Sequence, residues 1–519
     1  MTPTALVEHC QATLEPLEAE VNRAWWNANT DASNEHQRRR AVAELAMSDA
    51  LADTETFVAI RSARSDRALE TKPARMLALL EQAYTPHQAD PDLRRRIVEL
   101  QSSIDARFAR HRGTIGNEAV DENAILDVLR TSTDVAHRQA AWDASKSVGP
   151  VVAADVRELA RLRNEVARSL VYRDYFAMAL ATTEYDEGRL FATLDAVDAA
   201  TTSEYRQLKA TLDEQRAARF DVAIDALRPW HYDDPFLQET PIDIGVDLDD
   251  CFAGADLQEL TARTYAGVGI DVDGVLGRSD LLPRPGKVQH AFCIDVDRRG
   301  DVRVLCNIAP NERWAETMLH EFGHAAYFCG VSDELPWLLR TMHMALTEGV
   351  ALRCGRLIHE PEWLHKIAGL HSTQVAELAP RLRAARRAHL LLFARWTLVM
   401  TNFERRLYAN PDGVLDELWW DLVERFQLVH RPDSRDAPDW AAKIHIAVAP
   451  VYYQNYLYGE LIASQLTHAF GPLVDDPDAG RALVAQFFAP GAMPRWDRLI
   501  ETATGSALSP NVLVHDLAS

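Results

Sequence analysis

Apolar side chains recur at intervals of three and four residues through most of the first 225 positions, with charged side chains between them. The segments EPLEAEVNRAWWNANT and VRELARLRNEVARSLVYRDYFAMAL both show this pattern. Such spacing is typical of amphipathic helices that bury one face and expose the other. The pattern predicts a mainly α fold in which long helices are joined by short polar segments.

The helical period is lost near Arg228, where RPWHYDDPFLQETPIDIGVDLDD is rich in proline and aspartate. We predict an irregular segment at about residues 228–256, because segments of that length usually connect lobes or carry function. Two further segments, KVQHAFCIDVD and DVRVLCNI, flank RRG and predict a β-hairpin. The helical period returns at Asn311 and continues to the end. Because we find no flexible linker and no repeat, we predict one unit over residues 1–519, with two helical lobes.

The chain has 519 residues and a formal net charge of -22 at pH 7. This charge disfavours binding to nucleic acid and to anionic membrane surfaces, which repel it. The six cysteines form no CxxC pair, which favours a reducing compartment. The N-terminal MTPTALVEHC lacks the features of a signal peptide. The most apolar run, LLLFARWTLVM, contains Arg395 and is too short to span a bilayer. We therefore predict a cytoplasmic protein without a membrane partner; the sequence does not determine its oligomeric state.

The segment NERWAETMLHEFGHAAYFCG has the signals of a complete helix, with Asn311 as N-cap and Gly330 at its end. His320 and His324 are four residues apart, so both imidazoles project from the same helix face. This arrangement suits two nitrogen ligands of a tetrahedral zinc ion. Glu321 lies beside both and can reach a zinc-bound water as a general base. HEFGH therefore predicts a zinc site with its own base.

A third zinc ligand is expected from the next helix, within LLRTMHMALTEGVALRCG. We predict that this helix begins near DELPW, with Pro336 in its first turn. A short connection would return it against the first helix and place Glu348 beside the two histidines. The fourth position then stays open for water, as in catalytic sites with one zinc ion per chain. His343 falls on a different helix face from Glu348, and we predict a packed or surface residue.

These motifs resemble those of the zinc dipeptidyl carboxypeptidases of the angiotensin-converting-enzyme family. The chain is also similar to their relatives thimet oligopeptidase and oligoendopeptidase F. The segments VNRAWWNANTDASNE and LARLRNEVARSLVYRDYF carry the resemblance into the N-terminal helices. It implies a large two-lobed helical peptidase, with a deep central cleft and a small antiparallel sheet next to the zinc-binding helix. It also implies zinc-dependent hydrolysis of short peptides, by a dipeptidyl carboxypeptidase or an oligoendopeptidase.

The resemblance assigns the upstream strand to substrate binding. QHAFCID is similar to the edge strand that binds the substrate backbone in the converting enzymes. It implies that His290, Ala291 and Cys293 line the cleft. An extended peptide can add to an exposed sheet edge through main-chain hydrogen bonds, which agrees with this assignment.

Near the C-terminus, KIHIAVAPVYYQNYLYGEL resembles the family's KFH segment, which is followed by a pair of tyrosines. The resemblance implies that Lys443 binds the substrate carboxylate and that His445 contacts the scissile carbonyl. It also implies that Tyr456 donates its hydroxyl to the developing oxyanion, whereas Tyr453 lies nearer the substrate's C-terminal end. A phenol or imidazole donor can stabilise a tetrahedral oxyanion, and a lysine provides a point charge for a carboxylate.

The chain departs from the family pattern at four places. Asn455 stands where the converting enzymes have a chloride-binding arginine, which argues against activation by chloride. Leu352 replaces an aspartate that orients the zinc ligands, so either another group orients the histidines or the metal is held less tightly. The interval from His445 to the tyrosines is one residue longer than in the family, which leaves the assignments of Tyr453 and Tyr456 open to a shift along the chain. No segment matches the family's carboxylate-binding glutamine, which leaves exopeptidase and endopeptidase action both open.

Two other functions remain as alternatives. Bundled helices with Glu-x-x-His motifs can hold two irons, and EFGH together with EWLH at Glu362–His365 fits that pattern. This reading leaves His320 unused and places Pro361 directly before the second motif. The other alternative is a peptide-binding protein of the same fold without catalysis, which the intact zinc and base residues disfavour. Metal analysis distinguishes one zinc ion from two irons.

Overall fold

The computed structural model describes residues 1–66, 69–241 and 243–518. The predicted mainly α fold is confirmed, because the described residues form helices with only two small antiparallel sheets. The N-terminal helices are α1 (Pro3–Thr30), α2 (Asn34–Leu51), α3 (Thr54–Arg64), α4 (Thr71–Tyr84), α5 (Pro91–Arg110), α6 (Glu122–Thr131), α7 (Val135–Lys146), α8 (Gly149–Ser169), α9 (Tyr175–Thr182) and α10 (Glu187–Phe220).

The second half contains α11 (Asp249–Phe252), α12 (Leu257–Gly267), α13 (Asp273–Arg278), α14 (Glu312–Gly330), α15 (Met344–Gly355), α16 (Pro361–Lys366), α17 (Ser372–Ala409), α18 (Leu415–Gln427), α19 (His445–Val448), α20 (Tyr453–Phe470), α21 (Pro477–Leu483), α22 (Trp496–Thr504) and α23 (Asn511–Ala518). Strands β1 (Gly113–Ile115) and β2 (Glu118–Val120) form one sheet, and β3 (Phe292–Asp295) and β4 (Val302–Leu305) form the other. Among the described residues, no helix is long and apolar enough to cross a membrane.

Two hydrophobic cores organise most of the molecule. The larger core takes buried side chains from Ile104 to Leu517. A smaller core joins α1, α3 and α4 and also buries residues 337–339. Burying apolar side chains is the main favourable term in folding. The larger core takes side chains from both halves of the chain, which agrees with a single unit. The domain organisation itself stays a prediction.

The chain between α10 and α11 has little regular structure; that it joins two lobes stays a prediction. Between α10 and α11 the described backbone forms only short turns, including the 3-10 turns Ile224–Ala226 and Pro229–His231. Within the predicted bounds, one helical turn is formed by α11. Ile242, which the prediction also covers, lies outside the described residues.

The predicted hairpin is confirmed, with strands shorter than the apolar segments suggested. Cys293 pairs with Val304 in an antiparallel register. Beyond its pairing with β4, β3 has no strand partner among the described residues. The Asn22 side chain of α1 donates a hydrogen bond of 3.2 Å to the Asp295 carbonyl at the outer edge of β3. Because the backbone groups that face outward alternate along a strand, those of Cys293 and Asp295 lie on the same edge of β3.

The prediction that the next helix begins near DELPW is wrong. Pro336 precedes a single 3-10 turn, Trp337–Leu339, and α15 begins only at Met344. The three apolar side chains of this turn are buried in the core of the N-terminal helices. Their burial there competes with formation of a regular helix at these residues. His343 is the N-cap of α15, where its ring accepts a hydrogen bond from the Ala345 amide at 3.2 Å. It packs against other residues, as predicted, but as a cap rather than on a helix face.

Candidate metal and catalytic site

Helices α14 and α15 bring together the three side chains that the motif and its resemblance predict as zinc ligands. His320 Nε2 lies 3.9 Å from Glu348 Oε1, and His324 Nε2 lies 4.0 Å from Glu348 Oε2. One potential ligand atom from each residue lies within 4.8 Å of the other two. Asn311 caps α14 by accepting from the Trp314 amide at 3.0 Å, and the helix ends at Gly330, both as predicted.

Glycine allows the two helices to approach closely enough for this cluster. A Cβ at Gly323 of α14 would lie 2.9 Å from the Ala351 Cα of α15. A Cβ at Gly349 of α15 would lie 2.5 Å from the Ile462 side chain of α20. Contacts that short do not occur between real side chains, so a larger residue at either position would push the helices apart. The packing of α14, α15 and α20 therefore depends on these two glycines.

The donor set fits a zinc ion. Two imidazoles and one carboxylate are the nitrogen and oxygen ligands that catalytic zinc sites use. Burial lowers the pKa of His320 to about 4, which keeps this ring in the neutral, metal-binding form. Burial also raises the pKa of Glu348 to about 7. In the described part of the chain, no lysine or arginine pairs with Glu348 or Glu321, so a bound cation would relieve the cost of burying their charge.

Thr347 contacts one of the two histidines and is placed to orient it. Its Oγ1 lies 2.6 Å from His324 Nδ1. If Nδ1 carries the proton and donates to this hydroxyl, Nε2 is left free to bind the metal. The sequence showed only that Leu352 could not do this. The position of Thr347 directly before Glu348 was a signal that sequence reasoning missed.

Glu321 connects the metal cluster to the hairpin. Its carboxylate accepts a hydrogen bond from the Cys293 backbone, and the side chain is buried. Burial, together with the nearby charge of Glu348, raises the pKa of Glu321 to about 8. Of the three predicted substrate-binding residues in this segment, Cys293 thus adjoins the cluster. Ala291 directly precedes the strand, and His290 before it is exposed.

The tyrosines around the start of α20 differ in their surroundings. Burial and then the charge of Glu348 raise the pKa of both Tyr452 and Tyr456, so both lie within electrostatic reach of Glu348. Their ring centroids are 5.2 Å apart, and both rings are only partly buried. Tyr453 is buried instead, and its ring lies 5.2 Å from that of His445. Sequence reasoning found Tyr456 but missed Tyr452, because the segment is one residue longer than in the converting enzymes.

Lys443 contacts a glutamine that the sequence did not reveal. Its Nζ lies 3.0 Å from Gln238 Oε1 and 5.8 Å from the centre of the Tyr453 ring. Burial lowers the pKa of Lys443 to about 8, although Asp234 opposes this shift. Asp234 also accepts the backbone N–H of Gln238 at 3.1 Å, which shapes this part of the irregular segment. A lysine, a glutamine and a tyrosine therefore meet at one place.

One departure from the family pattern is visible in the structure, and one alternative is not supported. Asn455 accepts a hydrogen bond of 2.8 Å from the buried Tyr185 hydroxyl, in a place where the family has a cation. For the di-iron alternative, Glu362 pairs with Lys366 and His365 contacts the Leu370 carbonyl. Neither belongs to a ligand cluster among the described residues. The structure therefore does not bring EWLH to EFGH.

Two cavities lie near the cluster. One, of about 290 Å³, reaches His320 and is lined mainly by α14, α15 and α17. Another, of about 430 Å³, reaches Tyr452 and extends toward α4 and α9. Both are close to the size of small-ligand pockets. Open space therefore adjoins His320 of the cluster and, separately, Tyr452.

The turn before α20 is fixed by a buried carboxyl group. Glu404 accepts a hydrogen bond of 2.7 Å from the Val451 amide, and Val451 has a left-handed φ of 55°. This backbone conformation is strained for a β-branched residue. Burial raises the pKa of Glu404 to about 8. Glu404 thus contacts the turn from which Tyr452 and Tyr456 project, and its burial favours the neutral form although the Val451 amide favours the ionised one.

A pH-dependent stability follows from the burial of Glu404. Because burial raises the pKa of Glu404 in the folded state, the stability that its neutral form contributes is fully present below the ordinary carboxyl pKa and is lost as pH rises through about 8. Glu404→Gln is neutral at every pH and should remove this part of the dependence. We expect the free energy of unfolding of the wild type, measured with a chemical denaturant, to fall relative to that of Glu404→Gln between pH 5 and pH 9, by at most about 1.4 kcal/mol per pH unit. A difference that stays constant over this range would contradict the assignment.

Two family models match parts of the chain. Residues 2–224, which cover α1 to α10, match the family model described as angiotensin-converting enzyme. Residues 273–518, which cover α14, α15 and α20, match the model described as peptidase family M3. No curated protein matches the chain. The two matches support a metallopeptidase that acts on peptides. More particularly, they confirm the resemblance seen in the motifs and support a zinc metallopeptidase of the angiotensin-converting-enzyme and M3 type.

Proposed function

We propose that the protein hydrolyses short peptides with one zinc ion held by His320, His324 and Glu348, and with Glu321 as general base. The observation that carries this proposal is the convergence of the three ligand atoms within 4.8 Å, next to a buried carboxylate that contacts an edge strand. When bound there, a zinc ion supplies Lewis-acid polarisation of the scissile carbonyl and of water. All other steps belong to side chains and backbone of the chain.

The substrate backbone would extend β3 at its outer edge, near Ala291 and Cys293, where β3 lacks a strand partner. His290 would contact the substrate at the end of this edge. Glu321 takes a proton from the attacking water and passes it to the leaving amine. Tyr456 donates its hydroxyl to the oxyanion, with help from His445. The charge of Glu348, which adds to burial in raising the pKa of Tyr456, supports a position near the metal ligands.

Lys443 and Gln238 favour dipeptidyl carboxypeptidase action, with Tyr453 beside them. A lysine ammonium and a glutamine amide can together hold a free carboxylate. Gln238 would fill the role of the family's carboxylate-binding glutamine, for which the sequence offered no match. The cytoplasm remains our predicted location, and all six cysteines are free, as a reducing compartment would leave them.

Digestion of a mixed peptide library, read by mass spectrometry, tests this function. We expect zinc-dependent release of dipeptides from free C-termini. Internal cuts without dipeptide release would instead establish an oligoendopeptidase. Intact peptides that still bind the zinc-loaded protein would establish a binding protein and overturn the proposed hydrolysis.

The Lys443–Gln238 pair makes a sharper prediction about specificity. Lys443→Met retains much of the apolar packing but removes the charge. We expect KM for a peptide with a free C-terminus to rise about 10- to 100-fold, which corresponds to a charge-assisted hydrogen bond. The same peptide with an amidated C-terminus serves as the matched control and should show little change. An equal effect on both peptides would contradict carboxylate recognition at Lys443.

Thr347→Val should weaken zinc binding. The substitution keeps the size of the side chain but removes the hydroxyl that contacts His324 Nδ1. We expect zinc affinity to fall about 10- to 100-fold, as when outer partners of metal ligands are lost. Competition with a chelator of known affinity measures the change. Thr317→Val on α14, whose hydroxyl bonds only to its own helix at Arg313, is the matched control. Equal affinities for the two variants would exclude an orienting role for Thr347.

A further inference from the structure

A second cluster of potential metal ligands lies at the surface, where α23 packs against the end of α20. It consists of His468 on α20 and of His515 and Asp516 on α23. One potential ligand atom from each residue lies within 4.8 Å of the other two. His468 Nε2 is 3.2 Å from Asp516 Oδ1, and the two imidazole rings have their centroids 4.5 Å apart. These separations are close to those between ligands that share one tetrahedral ion.

The carboxylate of this cluster is held in place by neighbours that leave one oxygen toward the histidines. Asp516 Oδ2 accepts hydrogen bonds from Arg386, at 2.9 Å, and from the Ser464 hydroxyl. Asp516 Oδ1 is the oxygen that faces His468. Partners that fix one oxygen of a carboxylate are typical of metal sites, where they orient the ligand and hold its geometry.

The two imidazoles can receive an ion from solvent. His468 and His515 are both exposed, whereas the Asp516 side chain is almost completely buried beneath them. The cluster therefore combines a rigid carboxylate at its base with two accessible nitrogen ligands. An arrangement of two imidazoles and one carboxylate selects borderline transition metals over Mg²⁺ and Ca²⁺, which prefer oxygen ligands.

We propose that His468, His515 and Asp516 form a second transition-metal site, for which Zn²⁺ is the best-fitting ion, and that the bound ion fastens α23 to α20. The ligands come from two helices that are distant in sequence, so the ion would act as a cross-link between them. α20 also carries Tyr456 near its start, and the ion would anchor the opposite end of that helix. The exposure of both imidazoles makes the site weaker than the buried cluster on α14 and α15.

Zinc stoichiometry of the full chain tests this site. The protein is stripped with a chelator, equilibrated with buffered Zn²⁺, desalted and analysed for zinc by mass spectrometry. We expect about two zinc ions per chain for the wild type, on the two proposed sites. His515→Ala and His468→Ala should each lose one. His430→Ala, at an exposed histidine on another surface, should lose none. A zinc content that neither His515→Ala nor His468→Ala reduces would overturn the second site.

His320→Ala separates this proposal from the proposed catalytic zinc. If His320→Ala keeps one zinc ion that the double variant with His515→Ala loses, the second site is established. If His320→Ala instead has the same zinc content as the wild type, the catalytic assignment fails and the surface site is unaffected.

Hydrogen exchange provides a measurement other than stoichiometry. Added Zn²⁺ should increase amide protection in α23 of His320→Ala but not of the double variant. Equal protection in both would overturn the cross-link.

Discussion

Glu321→Gln is expected to lower kcat by about 10²- to 10⁴-fold, which is the usual contribution of general acid–base catalysis, while the protein keeps its zinc. The amide has nearly the size of the carboxylate and can still accept the hydrogen bond from the Cys293 backbone. It cannot take a proton from water. Because no zinc ligand is removed, metal content should be unchanged. Steady-state kinetics on a dipeptide-releasing substrate, together with zinc analysis, measure both results.

Glu377→Gln, on an exposed turn of α17, is the control for changing a helical glutamate to glutamine. It should leave both kcat and zinc content unchanged. Activity retained in Glu321→Gln would remove the proposed base. Loss of zinc together with activity would show that Glu321 holds the metal or the local structure. Only a lower kcat together with an unchanged zinc content agrees with a base that does not bind the ion.

Features set by neighbouring residues could be predicted from the sequence. The N-cap at Asn311, the end of α14 at Gly330 and the shared face of His320 and His324 all depend on local helix geometry. The confirmed hairpin likewise depends on two apolar segments around one turn. Local spacing was sufficient for these, because the energetic terms involved act within a few residues.

Features set by distant packing could not be predicted in this way. The helix with Glu348 starts later than predicted because residues 337–339 are buried against the N-terminal helices. Gln238 lies in a segment without regular structure, and only the folded chain brings it to Lys443. Thr347 meets His324 because glycine lets α14 and α15 approach closely. In each case the contact depends on how helices or loops meet, which periodicity does not specify.

The tyrosines illustrate the same limit within one motif. The extra residue between His445 and the tyrosines left their pairing with the family undecided by spacing alone. In the structure the charge of Glu348 acts on Tyr452 and Tyr456, whereas the Tyr453 ring lies against that of His445. A donor to the oxyanion must lie near the metal ligands. This requirement favours Tyr456 over Tyr453 and makes Tyr452 a second candidate for the donor.

Tyr456→Phe is expected to lower kcat by about 10²- to 10³-fold with little change in KM. This magnitude is typical for the loss of one oxyanion donor. The hydroxyl is proposed to act mainly on charge that develops in the transition state, so its loss should affect kcat and kcat/KM to a similar degree. Phenylalanine keeps the ring that packs against Phe393 and the neighbouring tyrosines. Steady-state kinetics on a peptide with a free C-terminus provide the measurement.

The neighbouring tyrosines supply the matched comparisons. Tyr453→Phe should mainly raise KM, because Tyr453 lies beside Lys443 rather than Glu348. Tyr452→Phe should lower kcat less than Tyr456→Phe does, because we assign the oxyanion to Tyr456 alone. If Tyr452→Phe has the larger effect on kcat, the donor is Tyr452 and the family's pairing is displaced along the chain. If Tyr456→Phe changes only KM, its hydroxyl binds the substrate in the ground state, and the oxyanion must be stabilised by another group.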